Sequence, residues 1–136
     1  MKIGQNARQA IAAGRLAHFT TINEDGGPHT VIVWVGVDGD QAVIGKMNVD
    51  KKVRNIRRDP RVTFSIEADG STNGLANYLV LEGTAEVVEG GGRDLLRRLA
   101  PTYLGPDTDF LSGDDLPVGY IIRITPTRIR GMGPWV

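Results

Sequence analysis

Cysteine is missing from all 136 residues, which excludes disulfides, thiol nucleophiles and cysteine-bound metals. Histidine is nearly missing too. His18 and His29 are the only two, too few for a structural zinc site in a chain without thiols, so no metal is expected. No apolar run approaches the length of a membrane span, and the N-terminal MKIGQNARQAIAAGRL is too polar for a signal segment. A soluble, cytoplasmic protein with no membrane partner is the expectation. An excess of one charge is also lacking. Sixteen basic residues meet 16 acidic ones, which argues against broad nucleic-acid binding. Aromatics are sparse: eight in all, scattered rather than interleaved with basic residues as platforms for single strands would be. The length fits a single domain, residues 1–136, able to bury a core without staples.

What the chain does have is strand. After a short helix over 4–14 with Ala7, Ala10 and Ile11 on one side, LAHFTTIN (16–23) alternates and EDGGP turns the chain. HTVIVWVGV (29–37) is the densest β-branched run and predicts a strand buried on both faces. DGD (38–40) reads as a hairpin turn into QAVIGKM (41–47). RVTFSIEA (61–68) and YLVLEGTAEVV (78–88) are further strands, with DGSTNGLA (69–76) a loop between them and Gly83 a bulge or bend. A helix over 92–99 should stop near Pro101; 105–117 reads as loop, YIIRIT (120–125) as the sixth strand, and PTRIRGMGPWV as an extended tail that starts as strand. The expectation is mainly β: six antiparallel strands closing, or nearly closing, into a barrel flanked by short helices.

One stretch breaks the charge balance. Between Lys46 and Arg61, seven basic side chains face only Asp50 and Asp59. Asp50 can cap a helix running to Arg58, with Val53 and Ile56 turned inward and Asp59-Pro60 ending it. Lys51 and Lys52 then occupy the helix start, where the dipole disfavours cations. Lys46 arrives from the preceding strand, and Asn55 lies one turn on. A phosphate or carboxylate would find backbone N–H groups and ammonium groups together there. The plainer alternative is that Asp50 itself fills the helix terminus and the lysines are solvated. Arg57, Arg58 and Arg61 sit at the far end, where cations suit the dipole, and read as stabilising or solubilising.

The succession HTVIVWVGV, hairpin, AVIGKM and KKVRNIRRDPRV resembles the pyridoxamine-phosphate-oxidase-like split β-barrel proteins. Within them it looks most like the branch using the deazaflavin coenzyme F420. The likeness runs from GRLAHFTTINEDGGPHTVIVWV to ITPTRIRGMGPW. It implies a homodimer with a cofactor site at each subunit interface. The cofactor phosphate would meet Lys46, Met47, Lys51, Lys52 and Asn55. The ring would lie along Thr30, Val31, Ile32 and Val33, with Pro28 and His29 at the mouth and Trp135 closing the pocket from the other subunit. Arg54 would join a basic rim for the oligoglutamate tail of F420. The implied function is hydride transfer between reduced F420 and a small organic substrate of quinone, enone or tetrapyrrole type. Such a cofactor brings its own reactivity and needs no catalytic triad or acid–base pair from the protein. None is visible: Glu82, Glu86 and Glu89 are irregularly spaced along a strand. The alternatives are an FMN-dependent oxidoreductase or oxidase of the same fold, and a non-catalytic carrier of the cofactor.

Other residues read more plainly. His18 is structural or partly exposed before it is a proton donor near the ring. Trp34 reads as core or dimer interface before ring stacking; Tyr78 and Tyr120 read as core or interface. Trp135, after GMGP, must dock back to be buried, and either a dimer or a ligand surface would suit it.

Overall fold

The computed structural model of the protein describes residues 1–135. Its elements in chain order are α1 (Gln5–Ile11), β1 (Ala17–Ile22), β2 (Pro28–Val33), β3 (Gly36–Asp38), β4 (Gln41–Lys46), α2 (Lys51–Arg58), β5 (Arg61–Thr72), β6 (Leu75–Glu89), α3 (Gly92–Leu104) and β7 (Tyr120–Met132). All strands join one antiparallel sheet in the order β2-β1-β5-β6-β7-β4-β3. The mainly β, antiparallel architecture is the one expected. The sheet curls without closing: β2 and β3 are both edges, joined by Trp34 and Val35.

Seven strands replace the six expected because 29–37 is broken in the middle. The cause is Tyr103, which lies 68 residues along from Val35. Its hydroxyl accepts from the Val35 N–H at 3.0 Å, and the Val35 and Arg15 carbonyl oxygens lie 3.0 and 3.2 Å from it as acceptors. A side chain thus takes the place of a neighbouring strand at that residue. Nor is β2 buried on both faces. Exposure alternates along it, with Pro28, Thr30 and Ile32 outward and His29, Val31 and Val33 half-buried. The doubly buried strand is β4, where Ala42, Val43, Ile44 and Gly45 are all buried. Helix α3 covers its outer face so closely that a Cβ on Gly45 would stand 2.7 Å from Leu96 Cγ.

Three further boundaries differ from the sequence reading. The expected loop 69–76 is hairpin: β5 and β6 stay paired to Thr72 and Leu75, with a register irregularity between Glu67 and Ser71. Asn73 and Gly74 both have positive φ, 53° and 79°, as a tight two-residue turn requires. Asn77, buried beneath, accepts from the Thr72 hydroxyl and donates to the Asp69 carbonyl. Helix α3 runs past Pro101 to Leu104; a proline near the end of a helix removes only a last bond or two. Strand β7 likewise runs through Pro126 to Met132. Its register on β6 slips where Glu82 faces Arg128 but Gly83 faces Pro126, so a bulge falls at the proline. Gly83 is therefore the bend expected, and a side chain there would strike the Thr125 carbonyl.

The core lies inside the curl. Phe19, Phe64, Ile66, Leu79, Leu81, Ile122 and Ile124 come from the strands, and Ala7, Ile11, Val53 and Ile56 from α1 and α2. Packing α2 by Val53 and Ile56 leaves its N-terminus at the end of β4, beside the break in the edge strand.

Candidate functional site

Asp50 organises the start of α2. One carboxylate oxygen accepts from the Val53 N–H at 3.3 Å, the expected cap. The other holds two ammonium groups, Lys46 Nζ at 2.8 Å and Lys52 Nζ at 2.7 Å. Partial burial raises the Asp50 pKa, but hydrogen bonds and charge from Lys46 and Lys52 outweigh it and bring it down to about 2. Lys52 is only 8% exposed. Burial lowers its pKa, the Asp50 bond opposes that, and the nearby Lys46 charge adds to the lowering. A buried cation with one carboxylate shared between two lysines leaves one positive charge over, in a setting of reduced dielectric.

Lys52 and Lys46 face a cleft of ≈ 320 Å³. Ile32, Val33 and Trp34 line it from the edge strand and the break after it; Ile44 and Gly45 from β4; Leu16, Leu96 and Phe110 complete it. Its walls are apolar and its foot is cationic. Lys51 points elsewhere, because consecutive helical residues stand about 100° apart. It lines a second cleft of ≈ 450 Å³ with Arg54, Arg58, Asn55, Asn23, Glu24 and Asp25. Lys51 and Lys52 thus serve two neighbouring clefts on either side of α2.

The remaining expected site residues divide similarly. Asn55 is buried and committed: both amide hydrogens are used, on Thr21 Oγ1 at 3.0 Å and Asn23 Oδ1 at 3.1 Å, and its oxygen accepts from Arg58. It ties α2 to β1. Met47 is half-buried just past β4. Of the presumed ring ledge, Ile32 and Val33 reach the cleft. Thr30 turns outward, its hydroxyl 2.9 Å from that of Thr20, and Val31 turns in against the core. Pro28 and His29 lie at the far end of β2, opposite Ile22 and Thr21. His29 Nδ1 is buried without a hydrogen-bond partner among the described residues. Trp135 docks back on its own chain, its indole N–H donating to the Tyr78 carbonyl at 2.8 Å. His18 is exposed on β1.

Phe110, Leu16, Leu96, Ile44 and Gly45 line the cleft although the sequence does not mark them for it, and so does Trp34, which reads as core or interface. Trp34 lies flat on Tyr103 (centroids 5.1 Å apart, 8° between planes) and tilted to Phe110 (5.1 Å, 52°). The available signal was the length of the segment after α3, since structureless connections that long are uncommon and usually functional. A further cleft of ≈ 390 Å³ lies on the outer sheet face, among Thr20, Thr63, Thr84 and Thr127. Its cation, Arg61, is engaged by Asp59 at 2.7 Å, so it offers less to an anion. No group of acidic or histidine side chains suited to a metal occurs among the described residues, and none of its helices is long and apolar enough to cross a membrane.

The sequence pattern of pyridoxamine 5'-phosphate oxidase matches residues 3–133. The chain belongs to this family. Solved structures share the family's fold with it. A protein described as an F420 reductase is 23% identical, with a TM-score of 0.74 over 94% of this chain and 98% of the other. A conserved hypothetical protein from Mycobacterium tuberculosis is 28% identical, with a TM-score of 0.73 over 96% and 86%. An FMN-binding protein from Syntrophomonas wolfei is 11% identical, with a TM-score of 0.68 over 94% and 84%. No curated protein matches. Membership of the pyridoxamine 5'-phosphate oxidase family supports binding of a flavin-type cofactor and oxidoreductase-type chemistry, and a cationic foot under an apolar cleft suits such a molecule.

Proposed function

We propose that the protein is an F420-dependent oxidoreductase that exchanges a hydride between the reduced coenzyme and a small organic substrate. The observation that carries this reading is the pairing of Lys46 and Lys52 on Asp50 at the foot of an apolar cleft. Held by Asp50, the two ammonium groups are preorganised for a phosphate, which would form charge-assisted bonds to them. Ile32, Val33 and Ile44 would exclude water beside the ring. The coenzyme supplies hydride chemistry when bound; the protein supplies position and a dry wall. Across α2, the exposed Lys51 and Arg54 would meet the carboxylates of an oligoglutamate tail. The homodimer belongs to the same reading. Ile32 is 59% and Leu16 52% exposed at the cleft, and a second copy would cover them.

A second reading, FMN, has one observation in its favour. Glu24 and Asp25 line the same cleft as Lys51 and Arg54 and oppose a polycarboxylate tail, whereas a single phosphate needs only Lys46 and Lys52. Titration of the protein with each coenzyme decides between them. We expect F420 to bind more tightly than FMN. Lys52→Glu should weaken either by at least about tenfold, the loss of one buried charge contact. Lys51→Glu with Arg54→Glu should weaken F420 alone. Failure of both coenzymes to bind the wild-type protein would sink the proposal. Tight binding without turnover on any quinone, enone or tetrapyrrole would leave a carrier.

A further inference from the structure

The segment 105–119 connects α3 to β7 and contains neither helix nor strand. It is nevertheless tied down. Arg97 of α3 donates from Nε to the Leu111 carbonyl at 2.5 Å and from Nη2 to the Gly113 carbonyl at 2.6 Å. One turn earlier, Arg93 donates from Nη1 to the Leu116 carbonyl at 2.9 Å. Leu111 has a positive φ of 55°, a conformation that a non-glycine residue adopts only when its surroundings hold it there. The result is that Phe110 sits on Trp34 at the cleft that holds Lys46 and Lys52. Trp34 is in turn fixed from below by Tyr103, whose hydroxyl is bound to the backbone of Val35. Trp34 therefore links Tyr103, stacked on it, to Phe110, tilted against it. Tyr103 is anchored by hydrogen bonds, and Phe110 is 38% exposed.

We propose that Phe110 is a specificity-determining residue of the cleft, selecting flat, uncharged, fused-ring substrates by stacking, and that Arg93 and Arg97 are positioning residues that hold it there. The inference rests on the coenzyme reading above and deepens it. A partly exposed aromatic ring held in place at the cleft offers contact at little entropic cost, and the gain from stacking grows with the flat area of the guest. The strap's charge sets the second property. It carries Asp107, Asp109, Asp114 and Asp115 and no Lys or Arg. None of these carboxylates lines the cleft, but carried on the segment that presents Phe110 they disfavour anions near that ring, so the anionic coenzyme is left to the lysines and neutral molecules are favoured at Phe110.

The test compares 2-methyl-1,4-naphthoquinone with 2-cyclohexen-1-one, a fused-ring and a single-ring acceptor, in equilibrium binding and in KM, on wild type, Phe110→Leu, Phe110→Tyr and Arg97→Ala. Phe110→Leu keeps an apolar side chain against Trp34 and removes the ring. It should weaken the naphthoquinone by about tenfold, clearly more than it weakens cyclohexenone or the coenzyme. Phe110→Tyr should behave as wild type. Arg97→Ala should follow Phe110→Leu and make the strap more sensitive to protease. Equal loss for both acceptors, no loss for either, a loss of coenzyme affinity instead, or a wild-type protein that does not bind the naphthoquinone would each overturn the role of Phe110. The wild-type coenzyme titration is read separately. If it fails, the coenzyme reading falls, while naphthoquinone binding to the coenzyme-free wild type and Phe110→Leu still decides the role of the ring.

Discussion

Asp50 does two jobs with one carboxylate, and the two can be separated by substitution. Asparagine caps a helix about as well as aspartate but brings no charge to Lys46 and Lys52. The folded-state pKa of Asp50 is about 2, below the ordinary 3.8. A depressed carboxylate pKa contributes stability that is present above the unfolded value and is lost as pH falls through the folded one. Asp50→Asn should therefore cost about 1–2 kcal/mol at neutral pH, after allowance for the partial exposure of the carboxylate. The gap to wild type should close between about pH 4 and pH 2, as read by denaturant melts across that range. A gap unchanged down to pH 2 would show that the ion pairs contribute nothing. The sequence marked Asp50 as a cap and grouped Lys46, Lys51 and Lys52 around it. It did not show that Lys51 parts company with Lys52, because which cleft a helical residue faces depends on what packs beside the helix.

At the scale of elements, the break between β2 and β3 places Trp34 at the cleft and lets the edge strand turn. Tyr103 makes that break, and its own pKa is raised by burial. Tyr103→Phe keeps the ring on Trp34 and removes only the hydroxyl. The Val35 N–H then loses its partner, which should cost about 1–3 kcal/mol in chemical unfolding with the fold retained by circular dichroism. An unchanged midpoint would mean that Val35 finds another acceptor. Local pattern was enough for α2, for the 36–46 hairpin and for the bend at Gly83. It was not enough where a distant residue decides. Nothing near HTVIVWVGV announces a tyrosine at 103. Pro101, read as a stop, is absorbed by a helix end, and Pro126, read as the start of the tail, by a bulge within β7. Asn73-Gly74 is a hairpin signal that the polar composition of 69–76 hid.

For the whole molecule, the curled sheet leaves two edges and an exposed Ile32 beside the cleft. Under the proposed homodimer, Ile32→Glu should shift the protein from two subunits to one in light scattering while leaving its circular dichroism unchanged. A wild type that is already monomeric at micromolar concentration would count against the shared site. The fold class was legible because strand patterns and turn residues repeat along the chain. The composition of the cleft was less so, since its apolar walls come from five separate parts of the sequence, near residues 16, 32, 44, 96 and 110.

Strand β7 lies inside the sheet, bonded along one side to β6 and along the other to β4. The β3–β4 hairpin reaches the rest of the sheet only through it. A polypeptide nicked between residues 105 and 119 would therefore be expected to stay whole, because the severed piece is the keystone of the arch and the two fragments can reassemble by strand complementation.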